Sequence, residues 1–551
     1  MVIASSGSLP PISYGSGLQP GTISLPGIET ILLFVDKAAV TGFEDGSRQN
    51  PFHVVANALV AAAALTPGAA RHVVLMIYPG EYAEDGLNSV DYVYWVGVGG
   101  RDAVRIEGDS ATVLTVDDEH TSYWGITFAN TGAFRPLQVS GAMASSTQFV
   151  ECAFRSSLDS NSPYVAVLDT AQVEFKDCAF SNASSDNRMF VTQGTPTVVL
   201  DGCDVEGHFD LQGGDFHLIN SCVDTTSASY LIRVFGHLMQ GFFIESCELR
   251  SQNNHCILFS GVPTTDVVIR NNTLVAGAGY DVGENGGAVA GFVIEGNIMS
   301  RGIQSSVSHV KSERNVGQAG DMDFYATLQD ALDSCTFDDI VVRMLKDEVV
   351  VGASLTFPSY TIVVDGNGKH TLTAPAGGLL AFLSSGDDTT LRDIKIIGSI
   401  YSTGTGILLT IKDSEMVGAV SLGPTDATTI VKIRSSQIVG DAARLYAVLF
   451  GDADPTVIVE HSYLKGNSGS PAVYWNIVTN NNLKMRHSKC FHGSLGANNP
   501  FGASGVQTPN WRGYQNDFNA DPGSFAGPPN WTNLVAAGQQ QSSFDVNTDF
   551  F

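Results

Sequence analysis

Short runs of alternating apolar and polar residues recur along the chain, each broken by one small or polar marker. The segments FVECAF, FKDCAF, LDGCDV, LINSCV, IESCEL, IRNNTL and IEGNIM each place an apolar residue three positions ahead of a Cys or Asn. The markers are Cys152, Cys178, Cys203, Cys222, Cys247, Asn272 and Asn297, with Ile126 of YWGITF in the same frame, at steps of 19 to 26 residues. Period-two alternation at each marker predicts one short strand returning once per coil of a solenoid. A second series, LRDIKI, IKDSEM, IRSSQI, VEHSYL and MRHSKC, has markers Ile394, Ser414, Ser436, Ser462 and Ser488, 20 to 26 residues apart. The expected fold is all-β, with two coiled arrays of parallel strands.

Each array has a similar opening. FVDKAAVTGFEDGSRQNPFHVVANALVAAAAL leads into HVVLMIYPGEYAED, and DFYATLQDALDSC leads into DDIVVRMLKDEVVVGASLTF. Both read as a short helix followed by a strand, with Pro51 suited to a first helical turn. Such a helix would cap an open end, where a bare core and unpaired strand edge must be hidden. The expected division is an extended N-terminal arm over 1–30, a first array over 31–317, a second over 318–490 and an extended tail over 491–551.

Coils stack about 4.8 Å apart, so residues sharing a frame position become neighbours. The Cys markers are expected to form an inward column of small side chains, continued by Asn272 and Asn297, whose amides can bond along it. Two positions ahead of the markers lie Lys176, Asp201, Asn220, Glu245, Arg270 and Glu295, a solvated face whose opposite charges oppose register slippage.

Composition narrows the function classes. Charged residues are 15% of the chain, Gly contributes 58 positions and the net charge is −27, the wrong sign for a protein that neutralises nucleic-acid phosphates. No run of 18 apolar residues suggests a membrane span, and the N-terminus lacks the basic and apolar blocks of a signal peptide, so synthesis in a reducing cytoplasm is expected. Eight cysteines without CxxC pairs predict neither a disulfide scaffold nor a zinc site. Residues 1–29 are rich in Ser, Gly and Pro, and the stretch from Phe491 is rich in Asn, Gly, Pro and Gln. Segments of this composition cannot fold alone, so both ends are expected to dock on another subunit or on the chain's own coils.

The DGS, NPF, alanine-rich and PGEY sequence from Asp45 to Tyr82, with GITF at Gly125 to Phe128, resembles the start of right-handed parallel β-helices of the pectin-lyase-like class. TIVVDGNGKHTLT at Thr361 to Thr373 resembles the start of another. The resemblance implies two right-handed parallel β-helix arrays, each opened by a capping helix. It does not choose among lyases, hydrolases, phage tailspikes and passive surface proteins, all of which use this fold. Polygalacturonase-like members carry NxD, paired Asp, GHG and RxK motifs on successive coils. The DD pairs here (Asp117 with Asp118, Asp338 with Asp339, Asp387 with Asp388) lack that company, and Gly207–His208 is followed by Phe209. No catalytic residue carries over.

The densest ionisable stretch, DGCDVEGHFDLQGGDFH, holds Asp201, Asp204, Glu206, His208, Asp210, Asp215 and His217. Alternate strand residues share a face, so Asp204, Glu206, His208 and Asp210 could converge on a cation, calcium being the natural one, or on a sugar. Asp201, Asp204, Glu206 and Asp210 are equally candidates for the acid and base of glycoside hydrolysis. A task-free acidic face outweighs both readings at this charge. GNSGSP places Ser468 in a protease-like loop, but on the turn of a coil and without an assembled base and acid. His487, Cys490 and His492 lack a fourth metal ligand.

Together these features predict a virion structural protein, a phage spike, fibre or capsid-attached appendage, without cofactor. Its expected partners are other copies of itself, a trimer among the options, other virion proteins and a host-surface glycan. The alternatives are a polysaccharide-degrading tailspike, lyase or hydrolase, and an extracellular or cell-surface adhesin.

Overall fold

The computed structural model describes residues 28–40, 42–141, 147–156, 164–182, 188–225, 230–260, 267–285, 292–304, 307, 313–321, 323–335, 338–350, 354–368, 370–375, 379–383, 388–402, 405–423, 428–442, 446–450, 455–467, 470–475, 482–491, 501–503, 510–514 and 517–518. Of the expected arm over 1–30, residues 1–27 lie outside them, as does most of the expected tail over 491–551, whose described strands Phe501–Ala503, Asn510–Tyr514 and Asp517–Phe518 pair with the preceding coil. The chain divides into two compact units, Met1–Asn253 and Asn254–Phe551. Both are parallel β-helices built of short strands, and the described residues include two helices, α1 (Val55–Ala64) and α2 (Leu328–Asp333).

In the first unit Glu29–Val35 pairs with Arg71–Ile77 from Glu29 opposite Arg71 to Val35 opposite Ile77. Helix α1 packs on these two strands and buries Val55, Ala58, Leu59 and Ala62, the three- and four-residue spacing of one helical face. Pro51 precedes this helix by a full turn, because Phe52 instead bridges Val35 as an extra parallel rung. The helix has no side-chain N-cap of its own. Glu84, from the next coil, accepts hydrogen bonds from the amides of Val55 (2.6 Å) and Ala56 (2.8 Å). Carboxylate oxygens thus satisfy donors that a helix start leaves open.

Successive coils repeat in strict register. Gln172–Lys176 pairs with Thr197–Asp201, and Ala153–Ser156 with Ala179–Asn182 on the next sheet around the coil. Inward residues alternate with outward ones, so Tyr123, Phe149 and Phe175 stack at 4.6 and 5.2 Å, and Phe128, Phe154 and Phe180 at 5.8 and 5.0 Å. Rings of the two columns meet edge to face, as between Phe154 and Phe175 at 5.6 Å. Aromatic pairs in these geometries add to the stabilisation from buried area.

One backbone feature joins the two sheets. Gly125, Glu151, Asp177, Gly202, Asn220 and Ser246 all have φ between 50° and 66°, a left-handed conformation that turns the chain sharply. The residue after each turn points inward: Ile126, Cys152, Cys178, Cys203, Ser221 and Cys247 are at most 3% exposed. The Cys column is therefore inward as expected, with one correction. Cys222 is exposed. Because Asn220 makes the turn, Ser221 occupies the buried position and the strand Cys222–Thr225 begins one residue later. For the same reason Asp201 lies opposite Ile219 rather than Asn220.

The second unit repeats the device at Asn271, Gly296, Asp393, Asp413, Ser435, His461 and His487, with φ of 47° to 70°. Asn272 and Asn297 follow the first two turns, and the Asn272 side-chain amide donates to the Asn297 side-chain carbonyl at 2.9 Å. Serine takes over in the later coils. Ser436 donates to Arg434 carbonyl (2.7 Å) and accepts from the Ser414 amide (3.2 Å), and Ser462 stands in the same relation to Glu460 and Ser436.

Position 317 does not interrupt this unit. Ile303 bridges both Val282 and Tyr325, and Glu313–Val316 pairs with Phe324–Tyr325 on one side and Ile340–Met344 on the other. Helix α2 therefore packs beside a continuing ladder and not over a free end. Leu328, Ala331 and Leu332 are its buried residues. Thr327 caps it at the Asp330 amide (3.1 Å), and Glu348 accepts from the Leu328 amide (3.4 Å), the role Glu84 plays for α1.

Candidate functional site

The acidic stretch from Asp201 to Asp215 does not form one face. Gly207, at φ 147°, ends the strand Asp204–Glu206 and starts the strand His208–Ile219 on a different sheet. Asp204 and Glu206 are exposed on either side of buried Val205. His208 is 5% exposed and Asp210 fully buried. The expected convergence of Asp204, Glu206, His208 and Asp210 fails because period-two alternation does not carry through a glycine turn. Asp201 lies apart from them, accepting from the Asn220 side-chain amide at 3.0 Å. No group of three or more metal-ligating side chains is assembled among the described residues.

Asp210 instead anchors a cationic cluster. It lies directly opposite Arg233 in the paired strand, and Arg233 Nε and Nη2 donate to its two oxygens at 3.0 and 3.1 Å. Arg188 Nε stands 3.0 Å from Asp210 Oδ2, brought there by a bulge at Met189 in the neighbouring strand. The Arg233 guanidinium carbon is 4.6 Å from the centre of the Tyr230 ring and 4.2 Å from that of Phe235. His208 meets Tyr230 edge to face at 5.3 Å. Burial, reinforced by the Asp210 charge, pushes the Tyr230 hydroxyl up to about 12, so it stays protonated at neutral pH.

Chemically this is a rigid fork. Asp210 receives three N–H donors and serves as a positioning anion rather than as a proton acceptor. The Arg188 and Arg233 side chains are 39% and 28% exposed, so their outer edges face solvent with one positive charge in excess. Planar guanidinium groups held this way suit a carboxylate or sulfate. Charge density along the chain points to Asp210 but not to its arginines, which lie 22 and 23 positions away on other coils. The only signal available was that each sits near one coil length from Asp210.

A second polar group lies at Ser89, buried between the Asp117–Asp118 pair. Its hydroxyl is 3.1 Å from Asp118 Oδ2, and both Asp amides donate to it at 3.2 Å. Burial, then the charges of Asp117 and Asp91, raises Asp118 above the usual carboxylate range. Beside it His72, Tyr92 and His120 stack at 5.5 and 4.4 Å. These rings cover one another's faces, leaving edges to solvent. Of the remaining expectations, Ser468, Asp387 and His492 lie outside the described residues. Cys490 is fully buried, and desolvation pushes its thiol far up.

No protein-family model matches this chain, and no curated protein matches it. Solved structures do. Pectin methylesterase from Aspergillus niger aligns over 41% of this chain and 86% of its own, at 14% identity and TM-score 0.25. A mannuronan C-5 epimerase A-module from Azotobacter vinelandii aligns over 90% and 98%, at 12% identity and TM-score 0.14. A PL6 family alginate lyase aligns over 81% and 97%, at 10% identity and TM-score 0.21. Likeness at this level is silent on activity.

Proposed function

We propose that the first unit recognises an acidic polysaccharide through the Arg188–Asp210–Arg233 cluster. The observation that carries this reading is a fully buried carboxylate clamping two partly exposed arginines, one of them held between Tyr230 and Phe235, in a chain of net charge −27. A general negative field repels polyanions, so a preorganised positive fork selects a carboxylate or sulfate group at one place. The cost of gathering two arginines is offset by Asp210 before any ligand arrives.

The same cluster supports polysaccharide cleavage by β-elimination. Pairing a uronate carboxylate with guanidinium makes the adjacent C–H more acidic. A base removes that proton, the new double bond forms, and the glycosidic C–O bond breaks as its oxygen takes a proton. His208 and the protonated Tyr230 are the proton-transfer groups within the cluster. Location in a virion is our proposal from the composition of the two arms, and glycan recognition is the chemistry that host attachment would need.

The test is incubation of the full chain with oligouronates, followed by calorimetry for binding and ultraviolet absorbance for the conjugated double bond. Arg188→Ala and Arg233→Ala should each abolish binding at the cluster, read at millimolar ligand as the loss of that site. Undiminished binding in both variants would remove the cluster from recognition. Binding without a new double bond would leave recognition standing and sink the elimination step.

A further inference from the structure

Helix α1 is apolar on both of its faces. Its sequence, VANALVAAAA, has one polar residue, Asn57, and no charged one. Val55, Ala58, Leu59 and Ala62 face the coils, which leaves Ala56, Val60, Ala63 and Ala64 exposed, Val60 at 73%. Helix α2 is built otherwise, with Gln329, Asp330 and Asp333 at the positions between its buried residues. A helix on a solvated surface carries such a polar face, whereas one that is apolar all round belongs in an interior. The patch extends past the start of α1. Glu44 holds the His53 ring and the Asn57 side-chain amide, and the exposed Phe43 and Val54 each adjoin a member of that contact.

The size of the patch decides between occupants. Ten helical residues make a face about 15 Å long and 10 Å wide. That is far short of the roughly 800 Å² that each partner of a stable dimer buries. One extended segment of chain fits it.

A segment of that kind starts at its rim. The Glu29 amide donates to the Ala70 carbonyl at 2.9 Å, the Glu29 carboxylate accepts from Arg71 Nε at 2.7 Å, and Arg71 Nη1 donates to the carbonyl of Leu65, the C-cap of α1, at 3.1 Å. At its other end the strand Glu29–Val35 bridges Phe52, just ahead of the helix, so α1 runs opposite to this strand. The chain before Glu29 therefore approaches at the C-terminal end of α1. It is 28 residues without a charged side chain, in a protein of which 15% is charged. Leu25, Pro26, Gly27 and Ile28 have the composition of a type II turn, Pro second and Gly third. A reversal there sends the preceding residues back along the helix, where Ile23 and Leu25 alternate with Thr22 and Ser24. About five extended residues span its length.

We propose that residues 22–27 fold back over α1 of their own chain and cover its outer face, with Ile23 and Leu25 seated on Val60 and the alanines beside it. This stretch then belongs to the closure of the first unit, and only the residues upstream of it are left to meet a partner.

The experiment is hydrogen–deuterium exchange with peptide mass spectrometry on the full chain at two protein concentrations. In the parent, amides within 22–27 should exchange at least about a hundredfold more slowly than an unstructured peptide, equally at both concentrations. Val60→Asp should bring them to the unstructured rate while the strand Arg71–Ile77 keeps its protection, which shows that the coils persist. Because Val60→Asp alters the helix itself, the double variant Ile23→Ser with Leu25→Ser is the second arm. It should release the same amides and raise the fluorescence of anilinonaphthalene sulfonate at the bared face. Exchange at the unstructured rate in the parent would overturn the proposal, as would protection that both variants leave intact. Protection present only at the higher concentration would give the face to another copy's segment and overturn closure within one chain.

Discussion

The Ser221 hydroxyl oxygen accepts a hydrogen bond from the backbone amide of Cys203, one coil away, at 3.0 Å. That contact fixes Ser221 in the inward column and turns Cys222 outward, between Asp204 and Glu248 in the strand register.

Of the eight cysteines, Cys222 is therefore the one that an aqueous thiol reagent should reach in the native protein. Burial, then the neighbouring Asp204 and Glu248 charges, raises its pKa, so the reaction should be slow at neutral pH and accelerate as pH rises. Absorbance titration should count one thiol per chain before denaturation and none in Cys222→Ser. A native count of three or more would mean that the Cys column is open to solvent.

Asp204 and Asp210 should respond oppositely to replacement by alanine. Asp204 is exposed, and its loss should change stability by no more than about 0.5 kcal/mol. Asp210→Ala leaves two arginines without their shared anion and should cost about 3 kcal/mol, the low end for a buried pair because both arginines retain some water. Equal denaturation midpoints for the two variants would contradict the ion cluster.

Serine and cysteine should be interchangeable in the inward column. Cys178 Sγ donates to the Lys176 carbonyl at 3.4 Å, and Ser436 makes the equivalent bond to Arg434 at 2.7 Å. Cys178→Ser should thus cost less than about 1.5 kcal/mol, whereas Cys178→Lys puts a charge into a packed interior and should cost several. Chemical denaturation of the two variants measures the difference, and similar losses would show that hydrogen bonding does not govern this position.

Glu44 and His53 form a pair at the opening of the first unit, with Nδ1 to Oε1 at 2.5 Å and Nε2 against the Ala39 carbonyl at 2.6 Å. The bond to Glu44, then that to Ala39, raises His53 above its usual 6.5, and the bond to His53 lowers Glu44 below its usual 4.5. A raised histidine contributes stability that is complete below 6.5 and lost as pH climbs through its folded value. A lowered glutamate contributes above 4.5 and loses its share as pH falls through its own. Both contributions are complete between about 4.5 and 6.5. Nuclear magnetic resonance titration of His53 should show a midpoint that drops in Glu44→Gln, and an unmoved midpoint would discount the pair.

The repeat was legible because one strand per coil leaves the same short pattern every time, and the markers at Cys152, Cys178, Cys203 and Cys247 point inward as their alternation implied. The frame failed at Cys222, where Ser and Cys are adjacent and both suit the column. What decides between them is the left-handed turn at Asn220, and Asn, Asp, Ser, His and Gly all occupy that position elsewhere. Helix α2 was found but misassigned, since the pairing of Glu313–Val316 on both sides depends on residues with no marker. The cluster at Asp210 was half legible. Charge density located the carboxylate, but Arg188 and Arg233 reach it only through strand register and a bulge.

Each strand in this fold finds its partner about one coil away along the chain, as Gln172 does with Thr197 and Thr456 with Asn482. The pairing of a strand with its predecessor needs nothing downstream. A chain leaving the ribosome can therefore wind as it is made, with the newest coil always presenting a raw, unpaired edge to the cell. A message cut short within either unit would then yield a largely native stub ending in such an edge, and the quality-control burden of this protein should fall on interrupted synthesis more than on full-length chains.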